Sequence, residues 1–81
     1  MRTKDALHWI AGVFEEIPER VTVDTQRKAI AGWDSLGTLS LIAGLDERFD
    51  IQLSERDIEG MQNVNDILEL LRGKGALQDV Q

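Results

Sequence analysis

The chain contains no cysteine. No disulfide can staple it, and no protein thiolate is available as a nucleophile or zinc ligand. It has a single histidine, His8. With no second histidine and no cysteine, a zinc site lacks ligands, and no metal centre is expected. No apolar run approaches the roughly 20 residues of a membrane span, and the polar start from Met1 to Asp5 has no apolar signal-peptide region. Positive charge is also scarce. Lys and Arg number 9 against 15 Asp and Glu, a formal net charge of −6. That sign repels phosphate backbones and anionic lipid, so neither nucleic acid nor membrane is expected as a partner, whereas a protein with a basic patch would suit. These absences predict a cytoplasmic monomer. Its 81 residues are enough for one small domain with a thin core, held together by helix packing.

What is present is helical periodicity. Leu7, Ile10 and Phe14, flanked by Ala6, Val13 and Ile17, predict an amphipathic helix over residues 3–16. Thr3 is a candidate cap, and Pro18 is the expected stop. From Glu19 to Asp34 the pattern breaks, which predicts a long ordered loop pinned by Val21, Val23, Ile30 and Trp33, with Gly32 permitting a turn. A second helix is expected over residues 35–49. Leu41, Ile42, Leu45 and Phe49 form its core face, and Leu36, Leu39 and Ala43 form a second apolar strip on the side of Ser35. A bundle this thin has little use for two apolar faces on one helix, so the spare strip is a candidate partner surface. A short third helix follows near residues 55–60, capped by Ser54. A last helix over residues 64–72 is capped by Asn63, with Asp66 three residues on. The expectation is an all-α four-helix bundle with a short third helix and a long loop between helices 1 and 2. One domain spans residues 1–73, and residues 74–81 form a disordered tail.

The segment that carries chemistry is G-W-D-S-L, Gly32 to Leu36. It places Ser35 where a helix begins, among unpaired amides and the positive end of the helix dipole. A phosphate ester is electrostatically favoured there. An Asp-Ser pair before an apolar run is also an ordinary helix start. A small acidic interaction module with Ser35 only as a cap is therefore the competing interpretation. His8 and Ser35 do not make a hydrolase triad, because adjacent Asp34 and Ser35 cannot supply an oriented base. No catalytic residue is assigned. Asp46, Arg48 and Asp50 do not make a calcium loop, because Ile51 stands where glycine is required.

From Trp33 to Leu71 the chain resembles the acyl carrier protein family. The pieces that carry the resemblance are D-S-L at Asp34–Leu36, L-D-E-R-F-D-I at Leu45–Ile51, S-E-R-D-I-E at Ser54–Glu59 and N-V-N-D-I-L at Asn63–Leu68. The resemblance implies that Ser35 receives 4′-phosphopantetheine from coenzyme A through a separate phosphopantetheinyl transferase, with Asp34 and Leu36 flanking the attachment point. It implies a thioester-bound acyl or aminoacyl cargo, a loading enzyme and downstream biosynthetic enzymes as partners, and no catalysis by the chain itself. Leu36, Leu39, Ala43, Asp46, Glu47 and Asp57 are the expected docking residues. Carriers for fatty-acid synthesis have an acid directly after D-S-L and another three residues on. Here those positions are Gly37 and Ser40, which points to a free-standing carrier of a specialised pathway.

Overall fold

A computed structural model describes residues 1–78. Helix α1 spans Thr3–Val13 and α2 spans Ser35–Phe49. The short α3 spans Glu55–Gly60, and α4 spans Val64–Gly73. Two 3₁₀ turns, Pro18–Arg20 and Arg27–Ala29, lie in the α1–α2 connection. The fold is all-α, with no strand among the described residues.

The expected apolar stripes meet in one core. Ala6 and Ile10 from α1 and Phe14 at its C-cap pack with Leu41 and Leu45 from α2 and with Val64, Ile67, Leu68 and Leu71 from α4. Trp9 lies edge-on to Phe49, with ring centroids 5.1 Å apart. It also rests against Gly44, where a Cβ would meet its ring at 2.9 Å. Phe49 is thus half-buried against Trp9 rather than deep in the core.

Local capping sets most helix ends. Ser54 and Asn63 each accept from the amide three residues on, and Asp57 and Asp66 reciprocate to the cap amide, forming two capping boxes. Helix α1 differs from expectation at both ends. Its N-cap is Arg2, which makes no side-chain cap, and Thr3 is already helical. Its α-helical stretch ends at Val13, upstream of Pro18. Glu15 turns left-handed with φ 55, and the amide of Glu16 reaches back to the carbonyl of Ala11 at 2.8 Å. That bond pattern is a Schellman stop, which ends the helix before proline geometry matters. Pro18 instead opens the first 3₁₀ turn.

The long connection is pinned by Val21, Ile30 and Trp33, all buried, whereas Val23 is exposed. The fourth anchor is backbone. Gln26 bridges antiparallel to Asn63, with Arg27 N–H donating to the Gln62 carbonyl and Val64 N–H to the Thr25 carbonyl, both at 2.9 Å. Beyond α4 the chain does not leave the body at once. Leu77 is buried, and Gln78 N–H donates to the Met1 carbonyl at 2.7 Å. The apolar side chain and this long-range bond hold a segment expected to fray. The rest of that expected tail, residues 79–81, lies outside the described residues.

Candidate functional site

Three stretches of backbone converge where α2 begins. A Cβ on Gly32 would fall 2.1 Å from the carbonyl oxygen of Phe14, and one on Gly37 would fall 1.8 Å from the carbonyl oxygen of Gly32. Neither position has room for a side chain, so the end of α1, the end of the loop and the first turn of α2 touch directly. The expected turn at Gly32 is present, with Trp33 N–H donating to the Ile30 carbonyl at 3.0 Å. Its φ is not positive, so the close approach to Phe14, not the turn, is what requires glycine. The resemblance marks Gly37 only as a position where fatty-acid carriers have an acid. The contact gives the physical reason, because an acidic side chain there would begin inside the Gly32 carbonyl.

Trp33 completes this seat. It is 5% exposed and stacks on Phe14 with centroids 4.9 Å apart and planes 17° from parallel. On the next residue, Asp34, the backbone is extended, and its Oδ1 accepts from the amide of Gly37 at 2.9 Å. Its carbonyl accepts from Thr38 N–H at 2.8 Å. Asp34, not Ser35, is therefore the cap of α2.

Ser35 is the first helical residue and is exposed. Among the described residues its hydroxyl makes no hydrogen bond, and the amides of Ser35 and Leu36 have no protein acceptor. Leu36 and Leu39 are 73% and 62% exposed, and Ala43 is exposed on the same helix. The predicted second apolar strip of α2 thus faces outward beside Ser35. A small cavity of about 150 Å³ beside the strip is lined by Phe14, Asp34, Leu36 and Gly37 among others.

The acidic residues divide into two kinds. Asp46 and Glu47 are exposed on α2 and make no ion pair with a described residue. Asp57 is exposed but engaged. Hydrogen bonds with the Ser54 backbone and side chain hold its carboxyl below the ordinary value of 3.8, outweighing desolvation, with a smaller contribution from the charge of Lys74. Among the described residues no three acidic or histidine side chains gather as a metal site. His8 shares a surface depression with Arg48. Arg48 lies near the far end of α2, about 20 Å along the axis from Ser35 at 1.5 Å per residue. Histidine and serine are not brought together.

A family model described as a phosphopantetheine attachment site matches residues 8–71. The acyl carrier protein of Desulforapulum autotrophicum is 41% identical over 58 residues, which cover 72% of this chain and 69% of that protein.

Proposed function

This chain belongs to the phosphopantetheine-attachment family of acyl carrier proteins, and on that premise we propose that Ser35 is the residue that bears the 4′-phosphopantetheine arm. Members of this family carry substrates rather than transform them, so the chain has no catalytic residue to supply. The observation that carries the assignment is the Ser35 hydroxyl, exposed and unbonded among the described residues at the amide end of a helix. The surroundings suit the group. A phosphodiester on Ser35 would stand over the free amides of Ser35 and Leu36, where the helix dipole favours negative charge. Asp34 and the contacts at Gly32 and Gly37 hold that helix start in place while leaving the hydroxyl open to a transferase. The arm, when bound, ends in a thiol that holds cargo as a thioester.

The finer reading is a free-standing carrier of acyl or aminoacyl groups in a specialised biosynthetic pathway of the cytoplasm. A phosphopantetheinyl transferase, a loading enzyme and downstream enzymes would visit it. The exposed strip of Leu36, Leu39 and Ala43, with Asp46 and Glu47 nearby, supports docking of an apolar patch rimmed by basic residues. Asp57 contributes less to docking, because its carboxylate is tied to Ser54. Among the described residues no helix is long and apolar enough to cross a membrane. The competing interpretation made Ser35 only a cap, and that role belongs to Asp34.

The test is intact mass after incubation with coenzyme A and a broad-specificity phosphopantetheinyl transferase. One phosphopantetheine adduct is expected on the wild-type chain and none on Ser35→Ala, which should melt like wild type. An unmodified wild-type chain, or an adduct that survives Ser35→Ala, refutes the assignment.

A further inference from the structure

The α1–α2 loop holds a cation that no nearby carboxylate answers. Arg27 opens the second 3₁₀ turn and is half-buried. Its backbone is fixed by the bond to the Gln62 carbonyl at 2.9 Å. Its guanidinium lies over the Trp33 ring, 5.5 Å from the centroid, and donates to Thr38 Oγ1 at 3.4 Å. The ion pairs among the described residues are Arg20–Glu16 and Arg72–Glu69, so no described carboxylate pairs with Arg27. Most cations of the chain are equally unpaired, but among the described Lys and Arg residues Arg27 alone is half-buried rather than exposed. A guanidinium presents five N–H donors in a planar fork suited to carboxylate and phosphate, and the Thr38 hydroxyl takes one of them weakly.

Arg27 is also close to the attachment point. Thr38 is three residues after Ser35 on α2, so their Cβ atoms are about 5–6 Å apart. That puts the guanidinium on the order of 10 Å from the Ser35 hydroxyl. A depression of about 530 Å³ opens beside Arg27, between the loop and the segment at Gln62, lined by Arg27, Lys28, Ile30 and Trp33, with Gln26 and Gln62 among the polar groups at its wall. Two cations and two amides over an apolar floor make a receptor for an anion attached to a flexible stem.

We infer that this depression is an anion site that receives a negatively charged group carried on the Ser35 arm, with Arg27 as its principal donor. The inference rests on the attachment of the arm to Ser35. The anion is a carboxylate at the far end of the cargo, because the phosphodiester is bonded to the Ser35 oxygen itself and stands over the amides of Ser35 and Leu36. A carrier with this site would favour cargo ending in a carboxylate over neutral acyl groups of the same length.

The experiment loads the full chain with a succinyl arm, labelled with carbon-13 at the terminal carboxylate, from succinyl-coenzyme A with a broad-specificity phosphopantetheinyl transferase, which breaks the pyrophosphate bond and releases adenosine 3′,5′-bisphosphate. Intact mass verifies the load. A chain that accepts no arm overturns both the attachment and this inference. Once it is loaded, two signals are compared between wild type and Arg27→Gln: the titration of the labelled carboxylate and the phosphorus resonance of the phosphodiester. A carboxylate pKa depressed by about half a unit or more in wild type, relative to free succinyl-coenzyme A, and restored in Arg27→Gln assigns the cargo carboxylate. A phosphorus resonance that differs between the two chains, with identical carboxylate titrations, overturns the inference, because Arg27 then acts on the phosphodiester at Ser35 and not on cargo in the depression. Arg27→Lys should keep much of the carboxylate effect, which separates charge from packing on Trp33. If Arg27→Gln loses its helical circular dichroism, wild type is judged against free succinyl-coenzyme A, with Arg27→Lys as its folded companion. Both signals unmoved on a loaded chain overturn the inference and leave the attachment standing.

Discussion

Gly37→Ala sets helix propensity against backbone contact at the foot of α2. By propensity alone the change should help, since alanine is favoured over glycine in a helix by about 1 kcal/mol. The surroundings oppose it. The added methyl would fall 1.8 Å from the Gly32 carbonyl oxygen and 3.2 Å from Phe14 Cδ1. Ordinary contact begins at 3.4 Å, so helix and loop would have to part by about 1.6 Å. No flexible side chain can absorb that shift, because the obstacle is backbone and Gly32 is itself pressed on the Phe14 carbonyl. Overpacking of this kind costs about 1–3 kcal/mol or more. A displaced first turn also strains the Asp34 cap, worth about 1 kcal/mol. Net of propensity, the loss should be about 1–3 kcal/mol, or a fall in Tm of about 4–24 °C for a domain this small. Thermal and urea unfolding followed by circular dichroism measures it. Gly12→Ala is the control, because nothing lies within 4 Å of a Cβ there, and it should gain up to about 1 kcal/mol. A Gly37→Ala chain that melts at or above wild type refutes the claim that backbone contact positions the site.

Three further substitutions probe the local devices. Asp34→Ala removes the bond to the Gly37 amide and should cost about 1 kcal/mol in urea unfolding and slow modification of Ser35; unchanged stability and rate would show the cap to be dispensable. Glu15→Gly relieves a left-handed φ of 55 and should raise stability by about 0.5–1 kcal/mol, read from the urea midpoint, with no gain counting against the Schellman stop. Asp57 has a folded pKa below its unfolded value, so it adds stability at pH above 3.8 that is lost as pH falls through the lower folded value. Asp57→Asn should therefore flatten the acid side of the stability–pH curve in that window, and an unaltered acid limb would show that the Ser54 bonds do not matter to folding.

What could be read in advance followed the range of the interactions concerned. Helix α2 and the short α3 fall where the spacing of Leu41, Leu45 and Phe49 and the Ser54 cap put them, because stripes and capping boxes act over three or four residues. Asp34 and Ser35 were visible for the same reason, although which of the two caps the helix depends on backbone angles rather than residue type. The stop of α1 is not legible in the sequence, where Pro18 is the conspicuous breaker. The actual stop uses Glu15, a residue with no compositional signal for the left-handed region. The burial of Leu77 is equally hidden, because the adjoining Gln78 is held by Met1, at the other end of the chain. Gly32 and Gly37 belong to this second group, since a glycine's reason for being there is whatever backbone passes over it. Arg27 does too, for it stands out only when Trp33 and Thr38 are seen beside it with no carboxylate near. The attachment serine is thus announced by its neighbours in sequence. What seats it, and what its cargo would meet, is set by contacts between segments that no local pattern records.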